Sequence, residues 1–126
     1  MKICITAQGD SLDALVDPRF GRCKYFAISD TESLMAEFIE NKDKDGMGGV
    51  GVGAGQLMAD KGVEAVLTGN IGPNAHRTLQ AGNIKVITGV SGKVIDAMNR
   101  FAKGELKSAD GPNVDTHFGE KGEVPK

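Results

Sequence analysis

With 126 residues, 15 basic and 17 acidic side chains and a formal charge of −2, the chain has the length of one domain and no net field to draw it to nucleic acid or a membrane. One Tyr, five Phe and no Trp make too few aromatics for base-stacking platforms, and two cysteines without CxxC spacing form neither a disulfide framework nor a zinc motif. No stretch approaches a membrane span and no basic region precedes a long apolar run at the N-terminus, so the expected setting is the cytoplasm and partners are to be sought at local sites.

Lys2 to Ala7 (KICITA) is β-branched and apolar, the pattern of a buried strand. Residues 8 to 23 read as a long loop. Within it, Val16-Asp17-Pro18-Arg19-Phe20-Gly21-Arg22-Cys23 concentrates two guanidinium groups, a thiol and an exposed-looking aromatic. Pro18 fixes φ and lacks an amide proton, and Gly21 permits backbone shapes that other residues resist, so the stretch is a shaped loop. So many donors make it a candidate binding element.

Lys24 to Ser29 and Leu34 to Glu40 look like two further strands, and the turn-like Asp30-Thr31-Glu32-Ser33 between them implies an antiparallel hairpin. A polar run from Asn41 to Asp45 then leads into Gly46 to Gly55, six glycines in ten residues. A helix follows from about Val52 to Lys61, stopped by Gly62.

Val66-Leu67-Thr68-Gly69 is echoed 20 residues later by Val86-Ile87-Thr88-Gly89. Each copy reads as a short strand, a glycine turn and a helix, the grammar of successive βα units. The first helix has Pro73 near its start and Gly82 beyond its end. The second runs from about Lys93 to Ala102, with Val94, Ala97, Met98 and Phe101 on one face, and Gly104 ends it. Beyond Leu106 the composition turns to Lys, Ser, Asp, Gly, Pro and Glu, which predicts a domain over residues 1–107 and a mobile polar tail over 108–126.

The order β-β-β-α-β-α-β-α predicts an α/β fold: a hairpin antiparallel to a central first strand, with two parallel strands added by right-handed crossovers. Ligands of such sheets bind beyond the carboxyl ends of the parallel strands. Three loops are expected to meet there: the stretch after the first strand, the glycine run, and the turn Gly69 to Asn74.

Gly46 to Gly51 fits GxGxxG, but it follows a polar loop and lacks the acidic residue that a dinucleotide site needs about 20 positions on. It is either a flexible loop or a set of amides, those of Gly48, Gly49, Gly51 and Gly53, offered to an anion. Asn70, Ile71, Gly72, Asn74 and His76 surround a helix start, where unpaired N–H groups and the positive dipole end favour anions. His76 is either a half-exposed surface histidine or a metal ligand. Cys23, between Arg22 and Lys24, is expected to have a lowered pKa and a cluster-facing thiolate. Cys4, inside a strand, reads as an apolar filler.

Val16 to Arg22, then Tyr25-Phe26, Gly69-Asn70-Ile71-Gly72-Pro73-Asn74-Ala75, Gly92 to Phe101 and Gly104-Glu105-Leu106 closely resemble the dinitrogenase iron-molybdenum cofactor biosynthesis family. The family includes nitrogenase cofactor carriers and the orange protein, which holds a molybdenum–copper sulfide cluster. The resemblance covers residues 1 to about 107. It implies a ribonuclease H-like fold, a five-stranded mixed sheet with helices on both faces. It also implies non-enzymatic binding of an anionic metal–sulfur cluster, either molybdenum–copper sulfide or an iron–sulfur or iron–molybdenum cofactor precursor, with protein partners for cluster transfer.

The implied cluster-binding set includes Arg19, Phe20, Gly21, Arg22 and Cys23, with Cys23 and His76 as metal-ligand candidates. Relatives often place His where this chain has Arg19, which favours holding by charge and hydrogen bonds. The tail sequence Val114-Asp115-Thr116-His117-Phe118-Gly119 nearly repeats the loop with His in that place, making His117 a third candidate ligand. Two other classes stay open. A nuclease on this fold would need carboxylates beginning on the first strand, which has none, and a regulatory module would bind a nucleotide or a protein through the glycine run.

Overall fold

In the computed structural model, residues 1–33, 35–42 and 50–106 are described. The β-branched run Lys2–Ala7 forms β1, buried from Ile3 onward. Tyr25–Asp30 and Ala36–Glu40 form β2 and β3, joined by the short turn expected of a hairpin. Then come α1 (Val50–Asp60), β4 (Ala65–Leu67), α2 (Pro73–Ala81), β5 (Lys85–Ile87) and α3 (Val94–Ala102).

The sheet order is β3-β2-β1-β4-β5, with β1 at the centre. β1 pairs antiparallel with β2, Cys4 opposite Ile28, and parallel with β4, Cys4 opposite Val66. The α/β architecture and element order are therefore those expected from the sequence.

Alternation along β1 sends its side chains to two cores. Cys4 joins Phe26, Ile28 and Val66 beneath Ala54 and Met58 of α1 and Ala75 and Leu79 of α2. Ile3 and Ile5 join Ala27, Leu67 and Ile87 beneath Val94, Ala97 and Met98 of α3. Helices thus cover both faces, and each large buried side chain contributes about 1.5–3 kcal/mol by leaving water.

α1 and α2 pack closely because Gly55 faces Thr78: an added Cβ there would lie 2.7 Å from the Thr78 methyl. α2 begins at Pro73, whose fixed φ suits a first helical turn, and Gly82 follows its end. Gly62 and Gly104 adopt φ of +74° and +77° after α1 and α3, the conformation that ends a helix at little cost in a glycine. Among the described residues no helix is long and apolar enough to cross a membrane.

Candidate functional site at the carboxyl edge of the sheet

Residues 8–24 leave β1 and fold back over the carboxyl edge. The amide of Val16 donates to the carbonyl of Gly92 at 2.8 Å, and that of Asp17 to Thr6 at 2.8 Å. The Thr6 hydroxyl donates to the Asp17 carbonyl at 2.7 Å and pairs with the Thr68 hydroxyl at 2.8 Å. Asp17 is only 3% exposed. Its carboxylate accepts the amides of Arg19 at 3.1 Å and Lys24 at 3.3 Å, and the Arg19 Nε lies 3.8 Å away. A buried carboxylate is tolerable because each oxygen faces a donor.

Phe20 differs from the exposed aromatic that the loop suggests. It is buried, with its ring 6.1 Å from that of Phe26 at a tilt of 58°, because the turn at Gly21, φ +95°, swings the chain inward. The ring anchors the loop to the core below.

Cys23 requires a second correction. Its thiol is completely buried among the apolar side chains of the α1–α2 face. Burial, and after it the carboxylate of Asp17, pushes the pKa up to about 12. The flanking Arg22 and Lys24, half-buried and exposed, do not offset this burial. Cys23 is a neutral core thiol, not a thiolate facing the edge. Cys4, also fully buried, is the apolar filler it was expected to be.

Sequence reasoning missed Asn41. Its Nδ2 donates to the carbonyls of Gly21 at 2.8 Å and Cys23 at 2.9 Å, from a buried position just past β3. The only signal in the sequence is an amide side chain directly after a strand.

The turn after β4 meets this loop. Asn70 donates its amide to Pro18 at 2.7 Å and accepts that of Phe20 at 3.2 Å, so Arg19 and Asn70 form a parallel bridge. Gly69 is required at the crossing: an added Cβ would lie 2.7 Å from the Pro18 Cα and 2.9 Å from its carbonyl oxygen. A third loop joins them through the amides of Gly89 to Gly69 at 2.9 Å and Val90 to Thr68 at 3.1 Å. This third loop, residues 88–93, was not anticipated.

The two helix starts at this edge differ. At α3 the amides of Val94 and Ile95 are taken by the carbonyls of Ala14 and Leu12, each at 2.9 Å. At α2 the amide of His76 reaches Gly72 at 3.0 Å, but those of Asn74 and Ala75 find no acceptor among the described residues. Gly72 has open space where a side chain would stand. Among the described residues α2 therefore presents two donors without an acceptor, and its positive dipole end.

Although its backbone is bridged to Asn70, the Arg19 side chain remains mostly exposed, 61%, with its Nη2 3.4 Å from the Arg22 carbonyl. Ile71 is buried beneath the turn. His76 is buried rather than half-exposed, at 8%, and its ring has no hydrogen-bond partner among the described residues. Gly51 and Gly53 lie in the first turns of α1, while Gly48, Gly49 and His117 are outside the described residues. Among the described residues no three His, Cys, Asp or Glu side chains cluster as a metal site. The donor set is thus guanidinium and amide, suited to an anion.

The family model described as "Dinitrogenase iron-molybdenum cofactor" matches residues 1–104. An uncharacterized protein of Methanocaldococcus jannaschii is 33% identical over 110 residues, 85% of this chain and 90% of that protein. The apo form of the orange protein from Desulfovibrio gigas is 40% identical and superposes with a TM-score of 0.86, covering 89% of this chain and 95% of that one. A Thermotoga protein provisionally named as NifB is 37% identical with a TM-score of 0.74, covering 85% of this chain and 91% of that one.

Proposed function

Because the chain belongs to the dinitrogenase iron-molybdenum cofactor family, we propose that it binds and carries a preformed anionic metal–sulfur cluster at the carboxyl edge of its sheet, without catalysing a reaction on it. One observation carries this reading. The backbone bridge between Arg19 and Asn70 fixes a permanent cation beside the open start of α2.

Bridging sulfides on a cluster accept hydrogen bonds, and guanidinium and helix-terminal amides are the donors that such acceptors need. Arg19 and Arg22 would supply charge; Asn70 would hold the Arg19 loop in place, and Asn74 and Ala75 would supply amides at the start of α2, where Gly72 leaves room for close approach. Phe20, Gly21, Ile71 and Cys23 act from below by fixing the loops. With Cys23 neutral and buried, His76 is the candidate for direct ligation that remains among the described residues, and the first turn of α1 with Gly51 and Gly53 would close another side. The cargo is molybdenum–copper sulfide or an iron–sulfur or iron–molybdenum precursor, received and passed on in the cytoplasm by protein partners.

The test is anaerobic purification from the native host, followed by the absorption spectrum and metal content. A coloured product with bound metal and sulfide is expected. A colourless, metal-free protein that also takes up neither thiomolybdate with copper nor an iron–sulfur precursor would overturn the reading.

A further inference from the structure

The starts of α2 and α3 lie at the same edge of the sheet but are finished differently. α3 has Asp96 in its first turn, and the carbonyls of Ala14 and Leu12 take the amides of Val94 and Ile95. α2, nine residues long, has no side-chain cap at Gly72 and no acidic residue in its first turn, and Arg77 adds a cation near the positive dipole end. The fold completes one start and leaves the other short of negative charge.

A side chain at the α2 start makes the same point independently. His76 is 8% exposed, and its ring has no hydrogen-bond partner among the described residues. Side chains of a helix lean back toward its N-terminus, so this ring lies over the turn that opens at Gly72, where an added Cβ would meet no atom within 4 Å. Among the described residues no unpartnered side-chain nitrogen is sealed from solvent, so the ring can be reached from outside. Ala75, the preceding residue and 5% exposed, has an amide that also lacks an acceptor among the described residues. Polar groups held this far from water are ordinarily paired, and one acceptor at the helix start would serve both.

From these observations we infer that the start of α2 binds a tetrahedral oxyanion of the inorganic phosphate class, held by the amides of Asn74 and Ala75, the N–H of the His76 ring and the Arg19 guanidinium. Four oxygens accept donors from several directions, as a planar carboxylate cannot, and a dianion complements both the helix dipole and the arginine. Arg19 stands on the adjoining loop through its bridge to Asn70 and is 61% exposed. Its contacts with Asp17 at 3.8 Å and the Arg22 carbonyl at 3.4 Å leave further N–H groups of its fork to donate. The binding itself requires no cluster. Only its consequence, that phosphate and cargo exclude one another at this start, rests on the function proposed above.

The test is a titration of the isotope-labelled, full-length, cargo-free chain with inorganic phosphate replacing chloride at constant pH and ionic strength, followed by NMR. The expected result is one saturable curve shared by the amides of Asn74 and Ala75 and the His76 ring, while the amides of Val94 and Ile95 stay unmoved. Gly72→Ala, which places a methyl group in the approach, and His76→Gln each lower the affinity about tenfold, as for the loss of one charged hydrogen bond. Arg100→Ala, exposed on α3, leaves it unchanged. Shifts that do not saturate, that appear equally at both helix starts, or that keep the parent affinity in folded Gly72→Ala overturn the inference. Because neither metal nor sulfide is present, a failure to bind phosphate is distinct from a failure to bind a cluster.

Discussion

The carbonyl of Pro18 accepts the amide of Asn70 at 2.7 Å directly over Gly69, whose Cα has no room for a methyl group. The first and second loops of the site are therefore one rigid unit. Gly69→Ala drives a Cβ into the Pro18 backbone and is expected to cost about 1–3 kcal/mol, read by chemical denaturation, with faster hydrogen exchange at Asn70. Gly72→Ala, which meets open space, should stay within about 0.5 kcal/mol of the parent while obstructing cargo at the α2 start.

Asn41→Ala leaves the buried carbonyls of Gly21 and Cys23 without this donor. A loss of about 1–3 kcal/mol per unsatisfied group is the expected outcome in thermal or urea unfolding. Replacement of Lys42, exposed and next in the chain, is the neutral control.

The Cys23 thiol has a pKa of about 12 against an ordinary 9.0. The folded protein should resist alkylation at pH 8 and react only after denaturation, as followed by intact-mass spectrometry. Its folded pKa lies above its unfolded one, so its contribution is fully present below pH 9.0 and is lost as pH rises toward 12. Over that window the unfolded thiol ionises first, and stability falls by about 1.4 kcal/mol per pH unit for this group. Cys23→Ala removes its share of the slope.

Arg19 is offered as a donor to cargo, so Arg19→Ala should weaken cluster binding by about 1.5–3 kcal/mol, the worth of a charged hydrogen bond. Affinity is read by spectroscopic titration with thiomolybdate and copper. Its side chain is mostly exposed, so the fold should be unaffected. Arg19→Lys should recover only part of the loss, because an ammonium lacks the planar fork.

Gly53 sits inside α1 with no atom within 4 Å of an added Cβ. Gly53→Ala should stabilise the protein by about 1 kcal/mol through helix propensity. If that glycine is there so that cargo can approach the backbone, the same change lowers affinity, and the two measurements will move in opposite directions.

The frame was legible in the sequence because its signals are local. The β-branched run at Lys2–Ala7, the four-residue turn before β3, Pro73 at the start of α2 and the glycines after each helix all act within a few residues. The edge loops were legible only as composition. Arg22 and Lys24 beside Cys23 suggested a thiolate, but the side chain of Cys23 enters a core assembled from residues far along the chain, and desolvation outweighs neighbouring charge. The same distance hid Asn41, whose partners lie 18 and 20 residues away, and the part played by residues 88–93. The burial of Phe20 depends on Phe26, across a turn whose direction no periodicity encodes.

The loop between β1 and β2 crosses from one hydrophobic layer to the other. Val16 belongs to the layer under α3, and Phe20 and Cys23 to the layer under α1 and α2. It acts as a rivet through the end of the sheet, so neither layer can come apart alone without pulling its other end. Hydrogen exchange should accordingly show the amides of Asp17 and Phe20 opening together with the centre of β1, as a single cooperative unit. Such a protein has no cheap way to lose its site while keeping its fold: heat or denaturant that disorders the carboxyl edge takes the whole domain with it.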